Sequence, residues 1–198
     1  MPRIFVAIPL PREIAAGAAR AIPPLTGVRP VAPELMHVTL AFLGQIGEER
    51  VPDVIASAGL AAAAVGPFPI ELRSVGRFPE HGRPSVIWLG TSPKAAATIV
   101  RLGASVRAEL LRHQVPFDPK PLRAHVTLAR VRDRVGDDEV RAIVAAVNGA
   151  RLRRELSFAA STLHVMESRL SSEGPLYSSR AELPLAGPPG GSRELRGE

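Results

Sequence analysis

One tetrapeptide occurs twice in this chain. His37-Val38-Thr39-Leu40 returns as His125-Val126-Thr127-Leu128, eighty-eight residues later, and each copy sits in the same succession of elements. Before the first copy, residues 3–10 read as an apolar strand closed by Pro9 and Pro11 and 13–21 as an alanine-rich helix. Pro23, Pro24, Pro30 and Pro33 then mark an irregular connection, and 35–43 reads as a strand stopping at Gly44. A helix over 48–65, a strand over 68–78 and a turn over 79–84 follow. From residue 85 the order repeats: strand 85–90, helix 93–112, strand 123–131, helix 137–147, strand 156–167. A unit of about ninety residues is too long for a solenoid repeat. The expectation is an α+β fold: a duplicated β-α-β-α-β unit, two-lobed, with pseudo-two-fold symmetry and a central groove. The repeats, about 1–84 and 85–186, sequential or interleaved, would form one bilobal domain over 1–186. Residues 187–198 read as a disordered tail.

With 198 residues and 45% hydrophobic composition the chain has enough apolar surface for a sizeable core. Zero cysteines exclude a disulfide framework, a thiol nucleophile and a thiolate metal site, and make the reducing cytoplasm the expected address. No apolar run is long enough for a spanning helix, so no membrane partner is expected, and the proline-interrupted N-terminus reads as a first strand and not a signal peptide. The formal charge is +6, and only Lys94 and Lys120 among the basic residues are lysine. Guanidinium suits phosphate recognition, although an Arg-, Ala- and Pro-rich chain also reflects genome composition. A monomer is expected.

Alternate side chains of a strand share a face, so His37 and Thr39 point one way while Val38, Leu40 and Phe42 point to the core. In the second copy His125 and Thr127 do the same. Two His/Thr pairs across one groove fit in-line displacement at phosphorus, whose attacking and leaving oxygens lie at opposite apices related by a two-fold axis. One histidine takes a proton from water while the other gives one to the leaving oxygen. Hydroxyls of Thr39 and Thr127 would donate to the non-bridging oxygens.

The paired His-x-Thr-x motif resembles that of the two-histidine (2H) phosphoesterases, and within them the RNA 2′,3′-cyclic phosphodiesterases once named 2′-5′ RNA ligases. The resemblance covers about residues 2–185. It rests on Arg-Ile-Phe-Val-Ala from Arg3, His-Val-Thr-Leu-Ala-Phe-Leu-Gly from His37, and His-Val-Thr-Leu-Ala-Arg from His125. Met166-Glu167-Ser168 and then Gly174-Pro175-Leu176-Tyr177 are similar to the family's closing strands. The resemblance implies metal- and cofactor-independent hydrolysis of a 2′,3′-cyclic phosphate on RNA or a related nucleotide. It also implies His37 as proton donor, His125 as acceptor, and a 2′-phosphomonoester as product.

Arg130 is left between two readings: the resemblance favours a phosphate contact, whereas alternation places it on the face opposite His125. Phe42 reads as core and not as a stacking platform. With one Trp, one Tyr and six Phe, a broad aromatic RNA surface is not expected, so recognition is confined to the terminal nucleotide or two. His81, His113 and His164 do not repeat between halves and read as structural or solvated, and no clustered ligand set points to a metal. Competing functions are a non-catalytic nucleotide- or RNA-binding module, and a 2H enzyme acting on small cyclic nucleotides or 2′-5′ linkages.

Overall fold

Apolar alternation and helix capping divide the chain into nine strands and four helices among the described residues, which in this computed structural model are 1–152, 154–171 and 174–187. In order they are β1 (Arg3–Pro9), α1 (Arg12–Ala18), β2 (Val28–Pro30), β3 (His37–Gln45), α2 (Val51–Ala63), β4 (Phe68–Phe78) and β5 (Val86–Thr91). Then come α3 (Pro93–Arg112), β6 (His125–Val131), α4 (Asp137–Gly149), β7 (Leu156–Ala160), β8 (Thr162–Ser171) and β9 (Gly174–Pro184). Local chemistry explains the helix starts. The Ser92 side chain accepts from Ala95 N at 3.3 Å with Pro93 in the first turn of α3, and Glu139 reaches back to Gly136 N at 2.6 Å at the acidic start of α4.

The strands form one antiparallel sheet in the order β7-β4-β5-β6-β3-β1-β8-β9, with β2 paired to β6. Sequence halves and sheet halves do not coincide. β4 follows β3 in the chain yet pairs with β5 and β7, while β8 and β9 extend the side that holds β1 and β3. Two four-stranded units, β9-β8-β1-β3 and β6-β5-β4-β7, thus interleave along the sequence. They meet between β3 and β6 through a single residue pair, Val38 with Val126. These valines hold the same place in the two motifs, so the pseudo-two-fold axis passes between them.

Both valines are fully buried, as are Leu40, Ile8, Leu89, Ile99, Leu102 and Leu110. One apolar cluster runs from β1, β3 and β6 into α2 and α3, and a second, with Ile87, Ala129, Val131 and Ile143, lies under α4. The helices therefore cover one face of the central strands. The other face is left to the polar residues of the motifs.

Several expected boundaries shift. The strand expected over 156–167 is two strands: β7 pairs with β4 and β8 with β1, on opposite sides of the sheet. Its inward residues change parity at exposed Ser161, from Leu156 and Ala160 to Leu163, Val165 and Glu167, because the chain changes units there. β2 falls inside the Pro-rich connection, where three residues too few to show alternation are held by Val31 N donating to Leu128 O at 2.8 Å and Arg132 N to Gly27 O at 2.8 Å. β3 starts at His37 because Pro33–Leu35 form a 3₁₀ turn, and α1 ends at Ala18, short of the expected 21. Of the tail expected to be disordered, residues 188–198 lie outside the described residues. Gly187 is tied down by its N–H to Val65 O at 3.1 Å. No helix of the described residues is long and apolar enough to cross a membrane.

Candidate active site

Antiparallel register about the Val38–Val126 pair sets His37 across from Thr127 and Thr39 across from His125. All four side chains are half-buried on the face away from the helices. Each histidine is oriented in the same way. Nδ1–H of His37 donates to Leu35 O at 2.7 Å, and Nδ1–H of His125 donates to Arg123 O at 2.7 Å. A carbonyl only accepts, so the neutral ring in each case carries its proton on Nδ1 and a lone pair on Nε2. Neither Nε2, nor the hydroxyl of Thr39 or Thr127, has a protein hydrogen-bond partner among the described residues.

Both imidazoles are held below their ordinary pKa of about 6.5, principally by burial, against which the bond to the carbonyl works in the other direction. His37 is lowered further by the charge of His125 and by Arg130; His125 is lowered by Arg123 and Arg130. The two rings therefore titrate as a pair that resists carrying two protons at once.

A groove of about 860 Å³ opens where β3 and β6 diverge. Its lining includes His37, Thr39, Thr127, Arg130, Phe42 and Tyr177, and no carboxylate among the described residues. His125 is not among the residues lining it and has the Phe78 ring at 5.2 Å, perpendicular, and Trp88 at 6.5 Å. Around His37 the partners are Phe5 at 4.9 Å and Tyr177 at 5.5 Å. A cleft of about 780 Å³ bounded by Arg20, Leu25 and Arg154 contains none of the motif polar residues. The two cavities are close in size, and the convergence of polar groups marks the site.

Arg130 and Phe42 are where strict alternation misleads. Thr39 pairs with Ala7 and Ala41 with Val6, so Leu40 has no partner of its own; Thr127 pairs with Trp88 and Ala129 with Ile87, so neither has Leu128. Each motif thus ends in a β-bulge that reverses the phase of the strand. Buried doublets Leu40-Ala41 and Leu128-Ala129 follow, and the next residues, Phe42 and Arg130, return to the face of the histidines. Arg130 accordingly lines the groove. Phe42, expected in the core, is 38% exposed there, with the Arg3 guanidinium 5.9 Å from its ring centroid.

The other histidines lie elsewhere. His113 shares Nδ1 with Ser57 Oγ at 2.8 Å and Glu109 O at 3.1 Å at the end of α3; His164 lies between the hydroxyls of Thr162 and Ser179, each at 3.3 Å; His81 is exposed in a turn. Sequence reasoning missed Phe5, Phe78, Trp88 and Tyr177 as neighbours of the pair, since strands distant in the chain bring them together. It also missed Arg29, which β2 sets directly across from Arg130.

Comparison with known proteins agrees with the fold and identifies the family. The model of the LigT-like phosphoesterases matches the chain twice, over residues 8–88 and 89–177. An RNA 2′,3′-cyclic phosphodiesterase of Thermus thermophilus is 38% identical over 137 residues, 65% of this chain and 68% of that protein. The protein of that name from Archaeoglobus fulgidus is 31% identical over 178 residues, 88% of this chain and 96% of that one. A crystal structure of a Thermus thermophilus protein superposes with a TM-score of 0.76 at 28% identity, covering 93% of this chain and 98% of the other. E. coli LigT complexed with 3′-AMP does so at 0.72 and 25%, covering 93% and 99%.

Proposed function

This chain belongs to the LigT-like (2H) phosphoesterase family, and from that premise we propose that it hydrolyses RNA 2′,3′-cyclic phosphate ends to 2′-phosphomonoesters through His37 and His125. The observation that carries the reading is the matched pair of imidazoles, each with Nδ1–H committed to a backbone carbonyl and Nε2 uncommitted, on either side of one local two-fold axis.

In this reading Nε2 of neutral His125 accepts a proton as water forms the new P–O bond. Nε2–H of protonated His37 gives its proton to the 3′ oxygen as the P–O3′ bond breaks. The 2′ ester remains, and a hydroxyl is left at the 3′ position. Thr39 and Thr127, whose hydroxyls have no other partner among the described residues, donate to the two non-bridging oxygens as charge builds there. Arg130 contributes fixed positive charge beside both histidines. The bond to the Leu35 carbonyl also stabilises the imidazolium His37 must become before it acts as acid.

The test is product analysis of a 2′,3′-cyclic-phosphate-ended oligoribonucleotide with chelator present, followed by phosphorus NMR. A 2′-phosphate is expected. A 3′-phosphate or an even mixture would refute the assigned orientation, and an intact substrate would refute the hydrolase reading.

A further inference from the structure

We propose that Arg29 and Arg130 together form a second phosphate site, for the phosphodiester or phosphate on the 5′ side of the nucleotide whose cyclic phosphate lies between the histidines. The proposal rests on the functional reading above and names the substrate feature that the groove selects.

Three observations carry it. Arg29 of β2 and Arg130 of β6 are direct cross-strand partners, both exposed, both lining the groove. Like charges set directly opposite in a sheet repel. Several guanidiniums elsewhere on the surface are paired with carboxylates, Arg83 with Asp137 at 2.6 Å, Arg123 with Glu80 at 2.9 Å and Arg180 with Glu48 at 3.0 Å, while others such as Arg20 and Arg132 are not among the described residues. Among the described residues, neither Arg29 nor Arg130 has a side-chain hydrogen bond or ion pair, and no Asp or Glu lines the groove. A bound dianion or phosphodiester would relieve this repulsion with two charge-assisted contacts.

The placement is fixed by the backbone. Arg29 lies in a three-residue strand pinned on both flanks by Arg132 N donating to Gly27 O and Val31 N donating to Leu128 O, each at 2.8 Å, with Gly27 at φ +75° supplying the turn into it. Position also separates the two guanidiniums in role. Arg130 acts on His37, His125 and Tyr177, whereas Arg29, across the strand, acts on none of them. Arg130 thus faces the reacting groups, and Arg29, its cross-strand partner, extends the positive charge along the groove toward a neighbouring phosphate.

Calorimetric titration with adenosine 2′,5′-bisphosphate and adenosine 2′-monophosphate tests this without turnover. The wild-type protein should bind the bisphosphate about 10- to 100-fold more tightly, the usual worth of hydrogen bonds to a charged group. Arg29→Gln should bring that ratio close to one. Arg29→Glu, which gives Arg130 a carboxylate partner, should abolish it while raising Tm. An unchanged ratio in Arg29→Gln overturns the proposal. Hydrolysis of cyclic-phosphate RNA is measured alongside. Turnover with an unchanged ratio removes the second site but leaves the hydrolase reading. A ratio that collapses in a protein that does not turn over does the reverse, and a protein that binds neither nucleotide refutes both.

Discussion

The His37 side and the His125 side of the site share a backbone and differ in what surrounds it. Each has a His-x-Thr strand, an Nδ1 bond to the carbonyl two residues back, and a bulge after the threonine. The His37 side then presents Phe42, Phe5 and Tyr177, the last on β9; the His125 side presents Arg130, Phe78 and Trp88, with Arg123 5.2 Å from the Phe78 centroid. Duplication supplies a symmetric means of moving two protons. In the proposed mechanism, divergence of the flanking residues is what distinguishes the acid side from the base side.

The most drastic way to break the comparison is to remove one ring. His37→Ala and His125→Ala should each lower kcat by about 10²- to 10⁴-fold, with the double variant little worse than either single one because the two act as a unit. Near wild-type turnover in either folded variant would end the paired acid–base account. The threonines come next. Thr39→Val and Thr127→Val keep the shape and remove the donor, so each should cost about 10²- to 10³-fold in kcat, while Thr→Ser stays mild. Serine variants as damaged as the valine ones would point to packing instead.

Much of this was legible in the sequence, and what was not has physical reasons. The duplication, α3 over Pro93–Arg112 and the four motif residues can be read directly, because periodicity and repetition are local signals. Phase reversal at Leu40-Ala41 and Leu128-Ala129 is visible only as an apolar doublet inside an alternating strand, and without the pairing partner a doublet is not a bulge. The sequence leaves sequential and interleaved units both open because Phe68–Phe78 has the same alternation whichever neighbour it pairs with. Contacts of Tyr177 with His37 and of Arg29 with Arg130 depend on pairings between distant segments that composition does not encode.

Bracing of the two sides differs as well, and stability measurements sharpen that difference. On the His37 side the buried Glu167 carboxylate accepts from Arg169 Nε at 2.7 Å and Arg180 Nη1 at 2.8 Å, and Arg180 also grips Glu48, tying β8 and β9 to the turn before α2. On the His125 side the corresponding brace is the exposed Arg123–Glu80 pair. Glu167→Gln should therefore destabilise by about 1–3 kcal/mol, and Glu80→Gln by about 0.2–1 kcal/mol. Arg169 and Arg180 hold the Glu167 carboxyl below its ordinary range. Its contribution is accordingly complete above about 4.5 and is lost as pH falls through the lower folded-state value. Urea titrations at pH 7 and pH 4 should show the pH difference shrinking in Glu167→Gln.

The pH profile of turnover tests the electrostatic side of the comparison. One ring must hold a proton while the other lacks it, so kcat/KM should be bell-shaped. Because burial lowers both rings, the alkaline limb should fall below the ordinary imidazole value of about 6.5. Arg130 lowers both, so Arg130→Gln should move both limbs to higher pH; Arg3, which acts on neither, should move none when changed to Gln. A limb that stayed in place in Arg130→Gln would mean that the guanidinium charge does not reach that ring.

The smallest expected effect is that of the Tyr177 hydroxyl. Its ring meets His37 edge-on at 5.5 Å and Phe5 at 5.1 Å, and burial raises its pKa above the ordinary phenol value, against the opposing charges of Arg130 and Arg3. A phenol so shifted is a poor proton donor at neutral pH, and no protein group accepts from it among the described residues. The ring therefore acts on His37 by shape, as Phe78 and Trp88 act on His125. Tyr177→Phe should keep kcat within about threefold, since it leaves the aromatic contact intact. Tyr177→Ala should loosen His37 and lower kcat further, without changing the product. Should Tyr177→Phe instead lose turnover on the scale of a removed histidine, the phenol would be a third proton-transfer group, and the symmetry of two histidines would no longer account for the reaction.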